Sequence, residues 1–133
     1  MNAKAKGTAA ERELIHFFNN HDWVAFRAAG SGSSKYPCPD LVAGNKLRKL
    51  AIEVKVTAST SKYFTKQEIN DLKFFAEGFG AEPWTAIKFN RVGWFFVHVE
   101  DLRETNQSFT IDVKVAKIRG LSPEEIIRIM KKD

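Results

Sequence analysis

A single cysteine, Cys38, stands in 133 residues. That excludes an internal disulfide and fits a reducing, cytoplasmic setting. No thiolate-stabilising motif surrounds it, so no reactive thiol is expected. No apolar run comes near the roughly 20 residues that a bilayer crossing needs. The charged opening Met1–Lys6 has no apolar stretch behind it, and no secretory signal is expected. His16, His21 and His98 have neither zinc-ligand spacing nor an H-N-H arrangement. The serines lack a G-x-S-x-G elbow, and Gly30-Ser31-Gly32 lacks the G-K-[S/T] ending of a P-loop. Internal repeats, linkers and low-complexity segments are also missing. Thiol, zinc, serine-hydrolase and P-loop chemistries therefore drop out.

What remains is basic and unevenly so. The length suits one domain, residues 1–133, able to hide roughly two-thirds of its unfolded surface. Hydrophobic residues make up 44% and charged ones 28%, as in ordinary globular proteins. The net charge is +5 with a pI near 9.4, which invites a polyanionic partner. Residues 1–66 carry 11 Lys/Arg against 5 Asp/Glu, whereas residues 67–133 carry 10 against 11. Three of those five acids are Glu11, Asp40 and Glu53. The basic half is the half with candidate chemistry.

Periodicity and turn residues order the elements. Thr8-Ala9-Ala10-Glu11 has capping-box form and predicts a helix from about residue 8, with Leu14, Ile15 and Phe18 on its apolar face. Glu11 shares that face. It reads either as a helix cap or as a carboxylate turned inward. Trp23–Ala29 predicts a strand, followed by a Gly/Ser loop, Gly30–Lys35, whose backbone can approach a phosphate closely. Pro39–Gly44 and Leu50–Val56 predict a hairpin around the basic turn Asn45–Lys49. Thr57–Lys62 reads as a polar loop. Thr65-Lys66-Gln67-Glu68 opens a second helix carrying Ile69, Leu72, Phe75, Ala76 and Phe79, stopped by Gly80. Strands follow at Trp84–Asn90, Trp94–Val99 and, more weakly, Phe109–Val115. A short helix opens at Ser122-Pro123-Glu124-Glu125 and ends in Lys131-Lys132. The expected class is α/β, in the order α-β-β-β-α-β-β-(β)-α.

Side chains alternate along a strand. Leu50, Ile52, Val54 and Val56 thus share one face, while Glu53 and Lys55 share the other. With Asp40 opening the neighbouring strand, two carboxylates can converge on a divalent cation beside one lysine. The alternative is a surface ion pair between Glu53 and Lys55, worth under about 1 kcal/mol.

Asp40 and Glu53-x-Lys55 form the P-D…E-x-K pattern, and the surrounding residues carry it further. Gly7-Thr8-Ala9-Ala10-Glu11-Arg12-Glu13-Leu14, Phe26-Arg27-Ala28-Ala29-Gly30-Ser31, Pro39–Ala43 and Ile52–Lys55 resemble archaeal Holliday junction resolvases in order and spacing. The likeness is close from about residue 7 to residue 57. Farther on it rests on element order and on Val92-Gly93-Trp94. The resemblance implies a restriction-endonuclease-like fold, with a central mixed sheet of about five strands flanked by helices. It also implies a homodimeric endonuclease that makes paired nicks in a four-way DNA junction. The expected cofactor is Mg²⁺, with Mn²⁺ able to substitute, and the expected location is cytoplasmic and nucleoid-associated.

Carried over by position, Glu11, Asp40 and Glu53 are the acidic, metal-holding residues and Lys55 the catalytic lysine. Arg12, Arg27, Lys35 and either Ser31 or Ser33 face DNA. Gln67 matches a glutamine found after the lysine strand in some relatives. Eleven Phe and three Trp leave aromatic surface for a dimer interface, with Phe74, Phe75, Trp94 and Phe96 as candidates. The rival readings are a restriction-like nuclease cutting duplex at a sequence, and an inert DNA-binding module of the same fold.

Overall fold

A computed structural model describes residues 2–28 and 35–128 of the chain. The first helix, α1 (Ala3–Asn19), starts a turn earlier than the Thr8 capping box suggests. Asn2 caps it instead, accepting the Ala5 N–H at 2.8 Å. Glu11 therefore sits mid-helix and caps nothing. Ala10, Leu14 and Phe18, four residues apart, form the buried stripe beside it. The chain then runs through β1 (Val24–Arg27), β2 (Leu41–Gly44) and β3 (Lys49–Thr57). The predicted β2–β3 hairpin is present and antiparallel, with Leu41 opposite Ile52 and Gly44 opposite Lys49.

After β4 (Ser61–Thr65), α2 (Lys66–Phe79) opens with the predicted box, in which Thr65 and Glu68 cap each other's backbone N–H groups. It stops at Gly80, whose φ of 78° favours glycine. This helix is the crossover that lets β5 (Glu82–Phe89) lie parallel to β3. The strand β6 (Gly93–His98) returns antiparallel. The result is a five-stranded mixed sheet in the order β1-β2-β3-β5-β6, as expected.

A second, three-stranded sheet was not foreseen. It joins β4 to β8 (Ser108–Asp112) and β7 (Arg103–Glu104). In β4 the lone fully buried residue is Phe64, so its sequence reads as polar. The predicted strand Phe109–Val115 is cut short because the Asp112 side chain accepts the Val115 N–H at 2.8 Å. That caps a helix, α3 (Val113–Arg119). The final helix, α4 (Pro123–Arg128), begins as predicted, with Ser122 and Glu125 exchanging capping bonds. Lys131 and Lys132 lie outside the described residues. Among those described, no helix is long and apolar enough to cross a membrane.

Each face of the large sheet has its own core. On one, Leu14 and Phe18 of α1 meet Leu41, Leu50, Ile52 and Phe96. On the other, Ile69 and Leu72 of α2 meet Phe64, Ile87, Phe89 and Phe109. Phe96 is fully buried against Phe18, which removes it as an interface candidate. Its strand faces were read as open surface, but α1 covers this one. Arg48, in the basic turn, is also internal. Its guanidinium binds both Glu82 oxygens, at 2.9 and 2.8 Å, and the Ile126 carbonyl at 2.7 Å. That cation ties the hairpin to β5 and α4.

Candidate active site

The strand β3 changes character halfway along. Leu50, Ala51 and Ile52 are fully buried, but from Glu53 onward Val54 keeps slight exposure and its neighbours are half-buried. The cause is the end of β2, whose last pair is Leu41 with Ile52. Beyond that point an inward amide needs a different acceptor. Asp40 supplies it: its Oδ2 accepts the Val54 N–H at 2.8 Å, between Glu53 and Lys55. The carboxylate is thereby held at the end of the hairpin beside the two residues it was expected to join.

Strand alternation turns Glu53 and Lys55 toward α2, opposite to Ile52 and Val54. The first turn of α2 brings Glu68, whose Oε2 accepts from Lys55 Nζ at 2.5 Å. Glu68 is four residues before Leu72, on the inner face of its helix. Glu11 arrives from α1, on the other side of the sheet. Arg27 Nε stands 2.9 Å from Glu11 Oε1 without the alignment of a hydrogen bond. That buried oxygen is left with no hydrogen-bond partner.

The charges are under strain. Burial, then repulsion from Asp40 and Glu68, pushes the Glu53 carboxyl up to about 9. Burial also raises Asp40, although the Val54 N–H and Lys55 pull the other way. Glu11 rises through burial and the nearby Asp40 charge, against the opposing pull of Arg27. Burial disfavours the Lys55 ammonium, but Glu68, Glu53 and Asp40 outweigh it and raise its pKa. Glu68 moves down: its bond to Lys55 overcomes its own burial.

The acids interact as a chain rather than closing on one point. Glu11 feels Asp40, Asp40 feels Glu53, and Glu53 and Asp40 both feel Glu68. Among the described residues, no three Asp, Glu, His or Cys side chains are arranged to hold one ion. Asp40 instead takes the Val54 N–H, Glu68 takes Lys55, and Glu11 stands against Arg27. The donors still fit a hard divalent cation: all are carboxylate oxygens, one buried oxygen has no hydrogen bond, and burial and mutual repulsion push the Glu53 carboxyl up to about 9.

Other predicted residues separate. Arg12 and Lys35 are exposed, and Ser31 and Ser33 lie outside the described residues. Gln67 is exposed and donates to Asp71 Oδ1 at 2.7 Å, away from the site. Its neighbour Glu68 is the residue that reaches in. The sequence signal for Glu68 was there, but capping explained it completely. Trp94 packs against the α1-side core and donates to Glu13 Oε2 at 3.2 Å.

The chain is similar to proteins of one kind. The family model for archaeal Holliday junction resolvase (Hjc) matches residues 2–133. A curated relative from Archaeoglobus fulgidus, crossover junction endodeoxyribonuclease Hjc, is 43% identical over 92% of this chain and 90% of its own. The protein of the same name from Methanocaldococcus jannaschii is 34% identical over 85% and 80%. The solved structure of Archaeoglobus fulgidus Hjc, a Holliday junction resolvase, superposes with a TM-score of 0.85 at 42% identity. That match covers 90% of this chain and 98% of the other.

Proposed function

This chain belongs to the archaeal Holliday junction resolvase family, and from that premise we propose a Mg²⁺-dependent endodeoxyribonuclease that resolves four-way DNA junctions by paired nicks. The family brings a restriction-endonuclease-like fold and a divalent metal requirement. The observation that carries the reading for this chain is the Asp40–Val54 bond, which sets a carboxylate beside Glu53 and Lys55.

Asp40 and Glu53 would hold the cation, with Glu11 completing the shell or orienting a second ion. When bound, Mg²⁺ would supply Lewis acidity and an acidified water. Lys55 presents an ammonium to the same phosphate, where it orients the attacking water and offsets developing negative charge. Arg27, half exposed beside Glu11, is assigned to DNA contact by resemblance. Arg12, Lys35 and the serines Ser31 and Ser33 are assigned to phosphates by resemblance. Binding through phosphates depends on junction shape and weakens steeply with salt.

A junction has two-fold pseudosymmetry, so paired nicking needs two sites at fixed separation. The outer face of β1–β2 supports a homodimer. Val24 (68% exposed), Phe26 (54%), Leu47 (70%) and Phe79 (46%) line one open groove with Val42. Contiguous apolar surface of this kind marks an interface. Phe75 stacks on Phe79, and Phe74 is exposed on the same helix. Trp94 contributes to the other side of the sheet.

The test compares a synthetic four-way junction, a nicked duplex and a linear duplex, in Mg²⁺ and in EDTA. Symmetric paired nicks in the junction alone, and only with Mg²⁺, are expected. Cleavage of linear duplex at a sequence would favour a restriction-like enzyme. Binding without any cleavage would leave an inert module.

A further inference from the structure

We propose that Glu68 is a positioning residue for cleavage: it fixes the Lys55 ammonium and keeps it off the Asp40–Glu53 pair. This rests on the nuclease reading above. Lys55 ends in a flexible four-carbon stem, and three carboxylates compete for its charge. Glu68 takes it, at 2.5 Å.

The geometry shows why Glu68 can act as a fixed post. Its second oxygen, Oε1, accepts the Thr65 N–H at 2.9 Å, and its own N–H donates to Thr65 Oγ1 at 3.0 Å. Both carboxylate oxygens are thus committed, one to the backbone of the helix start and one to the lysine, and the Glu53 carboxyl also hydrogen-bonds to Glu68. The helix is anchored one residue later by Ile69 and one turn later by Leu72, both fully buried. The ammonium is therefore located by the fold rather than by its own stem. Without the Glu68 anion, the remaining carboxyl groups that act on Lys55 are Glu53 and Asp40. Lys55 would neutralise the carboxylates that the cation requires. The capping box thus does two jobs at once, stopping the strand and setting the lysine.

Glu68→Gln keeps an oxygen for the Thr65 N–H but turns an amide NH₂ toward Lys55, so it removes both the charge and the lysine's acceptor. In single-turnover assays on a synthetic junction, the variant is expected to cleave about 10- to 100-fold more slowly with junction affinity unchanged. Its affinity for Mg²⁺ alone, by calorimetry without DNA, falls as Lys55 swings onto the acids. Removing Lys55 as well, in Lys55→Ala/Glu68→Gln, restores Mg²⁺ affinity to the wild-type level. A merely structural role for Glu68 cannot produce that restoration. Thr65→Ala, which breaks only the other half of the cap, lowers the melting temperature without slowing cleavage. Should Glu68→Gln not fold, Glu68→Asp keeps the anion on a shorter arm and is expected to lose part of the rate. The proposal is overturned if both Glu68 variants cleave at the wild-type rate, or if lost Mg²⁺ affinity stays lost in the double variant. Failure of the wild type to cleave in Mg²⁺ is a separate result, which removes the nuclease reading and this role with it.

Discussion

Asp40 and Val54 are joined by a 2.8 Å hydrogen bond from a strand amide to a side-chain carboxylate, at the point where β2 stops supplying partners to β3. One residue thus finishes the hairpin and serves the site. Asp40→Asn keeps an acceptor oxygen, whereas Asp40→Ala orphans the amide at a cost of about 1–3 kcal/mol. Urea unfolding should show the alanine variant clearly weaker than the asparagine variant. Equal midpoints would mean that the bond contributes nothing.

The buried acids make the metal-free protein sensitive to alkali. Unfolded Glu53 titrates at its ordinary 4.5, but in the fold its pKa is pushed up to about 9. Between those values the native state binds more protons than the unfolded one, so stability falls as pH rises. Asp40 and Glu11 act in the same sense. Glu68 has the opposite sign, and its contribution is lost only below the usual carboxylate range. In EDTA, urea midpoints should drop from pH 5.5 to pH 8.5. Glu53→Gln should flatten the slope, and Mg²⁺ should reverse it. A rising midpoint across that window would contradict the burial of Glu53.

Arg48 is predicted to matter for stability far more than its basic neighbours. Truncating it takes the guanidinium from Glu82, which keeps the Trp84 indole N–H, and removes its bond to the Ile126 carbonyl, a loss of about 3 kcal/mol for a pair buried on one side. Lys46, exposed on the same turn, should change stability by less than about 0.5 kcal/mol when replaced by alanine. Thermal melts of Arg48→Ala and Lys46→Ala compare the two directly.

The dimer face is tested by placing charge on it. Phe79→Glu with Leu47→Asp should halve the mass seen by light scattering at micromolar concentration. The same variant should convert paired nicks into single, uncoordinated ones. An unchanged mass, or a wild type that is already monomeric, would move the interface elsewhere or remove it.

Much of this arrangement was legible in the residues, and the misses share a cause. The hairpin, the second helix and its cap, and the P-D…E-x-K placement all follow from local patterns that tertiary structure leaves alone. Thr8-x-x-Glu11 looked like a helix start because a capping box carries no mark of the turns before it; Asn2 was simply farther out. The strand β4 hid among polar residues, because only Phe64 reports its burial. Arg48 and Glu68 were read as turn charge and cap. Their partners, Glu82 and Lys55, lie 34 and 13 residues away, beyond any local pattern. Phe96 failed as surface because nothing in a strand says which face a helix will cover.

Single-turnover cleavage of a four-way junction by Glu11→Gln, Asp40→Asn and Glu53→Gln, with junction binding measured on the same preparations, probes the acid site most directly. Each variant should fold, bind the junction close to wild-type affinity and lose Mg²⁺-dependent cleavage. Wild-type cleavage by Asp40→Asn or Glu53→Gln would contradict the assignment of these carboxylates to the chemistry.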